Sequence, residues 1–86
     1  MTLYLVIWDH WQGEHVPLAL IKGDLRTGVL KDWGYFAGSG RGYALVNAKE
    51  ETELVQLMMK YRRFGVRMLS TEPVVTVDQF EKIAPD

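Results

Sequence analysis

The sequence predicts an α+β domain in the order β-α-β-β-α-β with a short closing helix, and three patterns carry that prediction. Residues 3–8 and 41–46 read as strands with apolar residues on both faces, where a strand covering one core alternates apolar with polar. Residues 50–64 carry one apolar helical stripe with charges sorted towards its two ends. Between two strand patterns stands Gly38-Ser39-Gly40, the composition of a tight hairpin connection.

The first strand runs from residue 2 to 8 or 9, with Leu3, Leu5 and Ile7 on one face and Tyr4, Val6 and Trp8 on the other. A polar break follows over residues 9–14. Residues 15–26 then place Val16, Leu18, Leu20, Ile21 and Leu25 at helical spacing. Pro17 suits a first helical turn, where its missing N–H is no loss. Thr27-Gly28 is the stop, because glycine best adopts the left-handed cap; Gly23 costs this helix about 1 kcal/mol relative to alanine. Residues 29–37 form the second strand, with Trp33 and Tyr35 on one face, and residues 41–47 form the third.

The second helix is the clearest element. Leu54, Leu57, Met58, Tyr61 and Phe64 make its stripe, Glu50, Glu51 and Glu53 lie in its first turn, and Lys60, Arg62 and Arg63 lie in its last. The three basic residues complement the helix end, so a basic binding patch is not read from them. Gly65 ends the helix. Residues 66–75 are a fourth strand, in which Pro73 demands an edge or a bulge. Thr76-Val77-Asp78-Gln79 has capping-box spacing, and the closing helix after it is expected to turn Phe80 and Ile83 inward. This order is the ferredoxin-like plan: a four-stranded antiparallel sheet with both helices on one face.

Bulk properties exclude several classes. The 86 residues make one domain, residues 1–86, 48% hydrophobic and 24% charged, with no low-complexity tract or linker. A net charge of -1 gives no footprint for duplex DNA or an anionic membrane. With no cysteine, disulfides and thiolate chemistry are excluded. The apolar start is too short for a signal peptide or a membrane span, so a cytoplasmic protein is expected.

From residue 28 to 81 the chain resembles an uncharacterised domain-of-unknown-function family within the dimeric α+β barrel superfamily. The residues that carry the likeness are Lys31-Asp32-Trp33-Gly34, Gly42-Tyr43-Ala44-Leu45-Val46, Glu50-Glu51, Glu72-Pro73-Val74-Val75 and Val77-Asp78-Gln79. The resemblance implies two sheets closed face to face into a barrel, hence a homodimer through the open sheet face. It implies no activity. Distantly similar YCII-type proteins are thought to use an aspartate and a histidine at the end of the first strand.

Asp9, His10 and His15 are the candidate catalytic residues, since a histidine oriented by a carboxylate can act as a general base. Two histidines and an aspartate also suit zinc in type, but no ligand spacing supports a metal, and nothing calls for a cofactor. Trp8, Trp33, Tyr35 and Tyr43 are the candidate ligand-binding residues, a wall for a small apolar or aromatic molecule; together with Tyr4 they also read as packing against a second copy, the simpler of the two roles. The glycine run at 38–42 leads into a strand, whereas a phosphate loop leads into a helix, so it is read as a turn. The reading is therefore a small homodimer of unknown function that binds a small ligand, with a minor enzymatic role as its extension. The alternative is an RNA-recognition module, in which Tyr4 and Tyr43 would stack on the bases of single-stranded RNA. Leu45 and Ala48 in place of aromatics, and the slightly negative charge, count against it.

Overall fold

The computed structural model describes residues 2–11 and 15–83, so part of the polar break after the first strand lies outside the described residues. The elements are β1 (Thr2–His10), α1 (Leu18–Thr27), β2 (Leu30–Tyr35), β3 (Arg41–Ala48), α2 (Glu51–Arg62), β4 (Val66–Val74) and α3 (Val77–Ile83). The four strands form one sheet in the order β2-β3-β1-β4, every neighbouring pair antiparallel. This is the ferredoxin-like arrangement that the element order predicts. Gly28 adopts a left-handed conformation at φ 85° and donates its N–H to Leu25 O, closing α1 as expected. Pro73 lies on β4, an edge strand, where its missing donor costs no central ladder bond.

The two faces of the sheet are filled by different rules. Towards the helices β3 presents only Gly42, Ala44, Val46 and Ala48, all buried, and β1 answers with the buried Tyr4, Val6 and Trp8. Large side chains from one strand thus fill the space that small ones leave on its neighbour. Ile21 of α1 and Leu54, Leu57, Met58 and Tyr61 of α2 close this core from above. Tyr61 is wholly buried, and its hydroxyl donates to Asp24 Oδ2 at 2.6 Å, while Lys60 Nζ lies 3.0 Å from the same carboxylate. One aspartate of α1 therefore ties down two side chains of α2.

The outer face carries Leu3, Leu5 and Ile7 of β1 beside Asn47, Leu45 and Tyr43 of β3, all only partly buried. Here the structure corrects the sequence reading. Tyr4, Trp8 and Trp33 do not belong to the open face; they point to the helices, and of the aromatic set Tyr43 stands on the open side. The reason is parity: Trp8 pairs with Gly42 and Ile7 with Tyr43, so Tyr43 falls on the face opposite to Trp8.

The closing helix departs from expectation as well. Thr76 and Gln79 form the reciprocal capping box, Thr76 N–H to Gln79 Oε1 at 3.0 Å and Gln79 N–H to Thr76 Oγ1 at 3.2 Å. Yet no residue of α3 is buried, and Phe80 and Ile83 are 58% and 72% exposed rather than turned inward. β4 runs out to Val74, opposite Leu3 at the start of β1, and α3 begins past that end, with neither α1 nor α2 packed against it.

Candidate functional site

Trp8, near the end of β1, is the centre of an aromatic pile under the helices. Its ring stacks on Trp33 at 4.7 Å between centroids, Trp33 stacks on Tyr61 at 4.8 Å, and Tyr35 meets Trp8 edge-on at 5.4 Å. Such offset pairs add to the energy of burial. The indole N–H groups of Trp8 and Trp33 are buried with no hydrogen-bond partner among the described residues. A buried donor without an acceptor is uncommon and calls for an explanation.

Beside this pile opens a cavity of about 190 Å³, lined by Trp8, His10, His15, Val16, Tyr35, Ser39, Gly40 and Arg41. Three segments meet there: the end of β1, the approach to α1, and the turn between β2 and β3. The turn is docked onto β1 by His10 N–H donating to Gly40 O at 2.8 Å. Antiparallel pairing of β1 with β3 requires this meeting, since the start of β3 lies beside the end of β1.

His10 Nε2 lies 2.6 Å from the carbonyl of Phe64, just past α2. A carbonyl can only accept, so Nε2 donates its proton to it. The His15 ring lies nearly parallel to it, 6.2 Å away between centroids at 17°. Both histidines thus share one concave site with Trp8 and Tyr35.

Asp9 does not join them. The sequence reading places Asp9 and His10 in one loop, but β1 extends to His10, and adjacent residues of a strand point to opposite faces. Asp9 lies on the open face, gripped by Arg67 through Nε–Oδ1 at 3.0 Å and Nη2–Oδ2 at 2.7 Å. That hydrogen bond, with the charges of Arg67 and Arg41, holds its carboxyl below the usual carboxylate range. Arg67 also lies 5.7 Å from the centre of the Trp11 ring. Asp9 is therefore a partner of Arg67, and the histidine–aspartate pair drawn from the sequence is not assembled. Among the described residues no group of three or more histidines or carboxylates is placed to hold a metal ion.

The candidate ligand-binding residues separate in the same way. Trp8 and Tyr35 line the cavity; Trp33 lies behind Trp8 in the pile. Tyr43 is on the other side of the sheet, its hydroxyl donating to Asp32 Oδ2 at 2.8 Å and its ring stacked on Phe36 at 6.0 Å. Sequence reasoning missed Ser39, Gly40 and Arg41 as lining residues because it read the glycine run as a turn and stopped there. The strand order was the signal: a β2–β3 turn in this plan must lie at the end of β1 where His10 stands.

No helix among the described residues is long and apolar enough to cross a membrane. No curated protein and no solved structure matches the chain. One family model does, over residues 23–86, which takes in Trp33, Tyr35 and the β2–β3 turn but not Trp8, His10 or His15. That span is most of the chain, and the protein belongs to the family described as Domain of unknown function (DUF3303).

Proposed function

We propose that this protein is a small-ligand-binding homodimer of the dimeric α+β barrel type, taking one single-ring aromatic molecule in the cavity between Trp8, Tyr35, His10 and His15. The observation that carries the ligand reading is the cavity itself: an aromatic wall met by two histidines, a hydroxyl and a glycine backbone, the mixture of apolar walls and few polar groups that ligand sites share. Its volume has room for one ring, since a sealed cavity of roughly 150 Å³ accepts benzene. The reading stops at binding. Asp9, the carboxylate paired with the histidines in the sequence reading, is held by Arg67 on the other face of β1, so a general-base role is not part of it.

The dimer rests on the open face. Leu3, Leu5, Ile7, Leu45 and Tyr43 form an apolar centre, while Asp32 and Glu72 flank the Leu45–Leu5 row and Arg41 and Arg67 flank Asp9 one end further along. An apolar centre with a charged rim is the anatomy of a protein interface. A second copy turned end over end sets the acidic row of each against the arginines of the other, which is the self-complementarity a two-fold interface needs. The radius of gyration, 13.9 Å, exceeds the about 12 Å expected of a self-contained domain of this length.

The RNA reading receives no such support. Base stacking needs Tyr4 and Tyr43 on one exposed face, and Tyr4 is buried under the helices on the face opposite to Tyr43.

The test is titration of the purified full chain with a panel of single-ring aromatic compounds, charged and neutral, followed by tryptophan fluorescence and thermal unfolding. At least one class should quench the fluorescence and raise Tm, and Tyr35→Ala, at an exposed position, should weaken that binding with the fold intact. A panel that moves neither signal removes the ligand reading.

A further inference from the structure

Resting on the dimer reading above, we infer that α3 of each copy is a clasp, its apolar side seated in the groove between α2 and β4 of the second copy. Three observations lead there. The first is that α3 has no seat on its own chain. Val77, Phe80 and Ile83 recur every three residues and share one side of the helix, yet no residue of α3 is buried. A helix of seven residues is too short to hold itself by propensity, and packing of an apolar side is what sustains such a helix in a protein.

The second is a groove of matching chemistry. An open groove of about 160 Å³ runs between α2 and β4, lined by Val55, Met58, Met59 and Met68 together with Arg62 and Arg67. Met59 is 61% exposed, although its side chain is apolar. Flexible methionines mould to the surface they receive. Beside its apolar side α3 carries Asp78 and Glu81, three residues apart, and these complement the positive sign of the groove. Arg67 already holds Asp9, so Arg62 is assigned to the carboxylates of α3.

The third is reach, and it decides which copy fills the groove. At about 3.3 Å per residue the nine residues of β4 carry its end roughly 26 Å from its start. The groove opens at the start, around Val66 and Met68, whereas α3 begins at Val77 beyond the far end. Its own groove is therefore out of reach. Turning the second copy end over end lays the two β4 strands antiparallel, with Glu72 of one over Arg67 of the other. Val74 then comes to the start of the other β4, and α3 continues from there into the groove. The elongated chain, 48 by 27 by 21 Å, is in keeping with an arm held out for a neighbour.

The experiment uses the absence of native cysteine. Full-length chains carrying Ile83→Cys are mixed with chains carrying Met59→Cys, both at exposed positions, and oxidised mildly at micromolar concentration. The mixture should give a disulfide-linked dimer of one chain of each kind, at least about fivefold more than either variant alone. Phe80→Asp should raise the dissociation constant at least about tenfold in sedimentation, with circular dichroism unchanged. A wild-type dimer whose mixed variants do not cross-link overturns the clasp while the dimer reading stands. A chain carrying both cysteines that closes the disulfide within itself shows α3 on its own groove, and the inference fails. A wild-type chain that sediments as a monomer removes the dimer reading and the clasp with it.

Discussion

Gly42 sits directly across the β1–β3 ladder from Trp8, and the indole occupies the space in which any other residue at position 42 would place its Cβ. The same Cβ would also run into the backbone oxygen of Gly34 on the neighbouring strand. On the opposite face the relationship repeats: a Cβ at Gly34 would meet the ring of Tyr43, its ladder partner. Two glycines on adjacent strands thus admit two aromatic rings on opposite faces of one sheet.

The two glycines differ in what obstructs them, which makes a paired prediction. Gly42→Ala meets a backbone atom that cannot swing aside and a buried tryptophan, so it should destabilise the fold by about 1–3 kcal/mol, as overpacking does. Gly34→Ala meets only the ring of a partly exposed tyrosine, which can turn away by surrendering its bond to Asp32 at a cost of about 1 kcal/mol. Urea midpoints of the two variants at unchanged m-value check the order; a Gly34→Ala variant less stable than Gly42→Ala contradicts it.

Tyr61 predicts an alkaline limit to stability. Burial first, then the bond to Asp24 and its charge, push the phenol well above its ordinary range, so the folded chain holds a proton that the unfolded chain gives up near pH 10. The contribution is complete below about pH 10 and declines above it by up to about 1.4 kcal/mol per pH unit until the folded phenol itself ionises. Tyr61→Phe should cost about 1 kcal/mol at neutral pH and remove this part of the decline. Chemical denaturation of both proteins from pH 7 to 11 reads the difference; parallel curves throughout contradict the argument.

Asp9 titrates in the opposite sense. Its carboxyl is held down by Arg67 before any other cause, so whatever the pair contributes is present above the ordinary carboxylate range and fades as pH falls through the lowered value. Carboxyl-carbon NMR should find Asp9 titrating below an ordinary aspartate, and Arg67→Gln should return it towards that ordinary value. The cavity should be unaffected, because Asp9 points away from it.

Leu5 and Leu45 face each other at the middle of the open face. Sedimentation at micromolar concentration should show a dimer near twice the 9.9 kDa chain. Leu45→Glu should raise the dissociation constant at least about 100-fold, close to 3 kcal/mol, by forcing an unpaired carboxylate into an apolar interface. Circular dichroism should stay unchanged, since Leu45 lies outside the helix-covered core. A wild-type chain that sediments as a monomer would falsify the dimer.

Much of the fold was open to a reader of the sequence. The order of strands and helices, the Gly28 cap, the Thr76–Gln79 capping box and the hairpin at Gly38-Ser39-Gly40 all follow from local rules: helical and strand periodicities, the left-handed freedom of glycine, and side-chain bonds that span three residues. The apolar character of both faces of β1 was legible for the same reason, because alternation within a strand needs no knowledge of its neighbours. What tertiary structure alone decided was which face each residue joined. The parity that divides Trp8 from Ile7 is local, but its tie to Tyr43 is set by the β1–β3 register, and the choice of the helix-covered face by the small residues of β3. For the same reason the neighbours Asp9 and His10, one cluster in the chain, serve opposite sides of the sheet, while His10, His15 and the distant Ser39, Gly40 and Arg41 line one cavity. A strand sends adjacent side chains apart, and only the pairing of strands brings remote ones together.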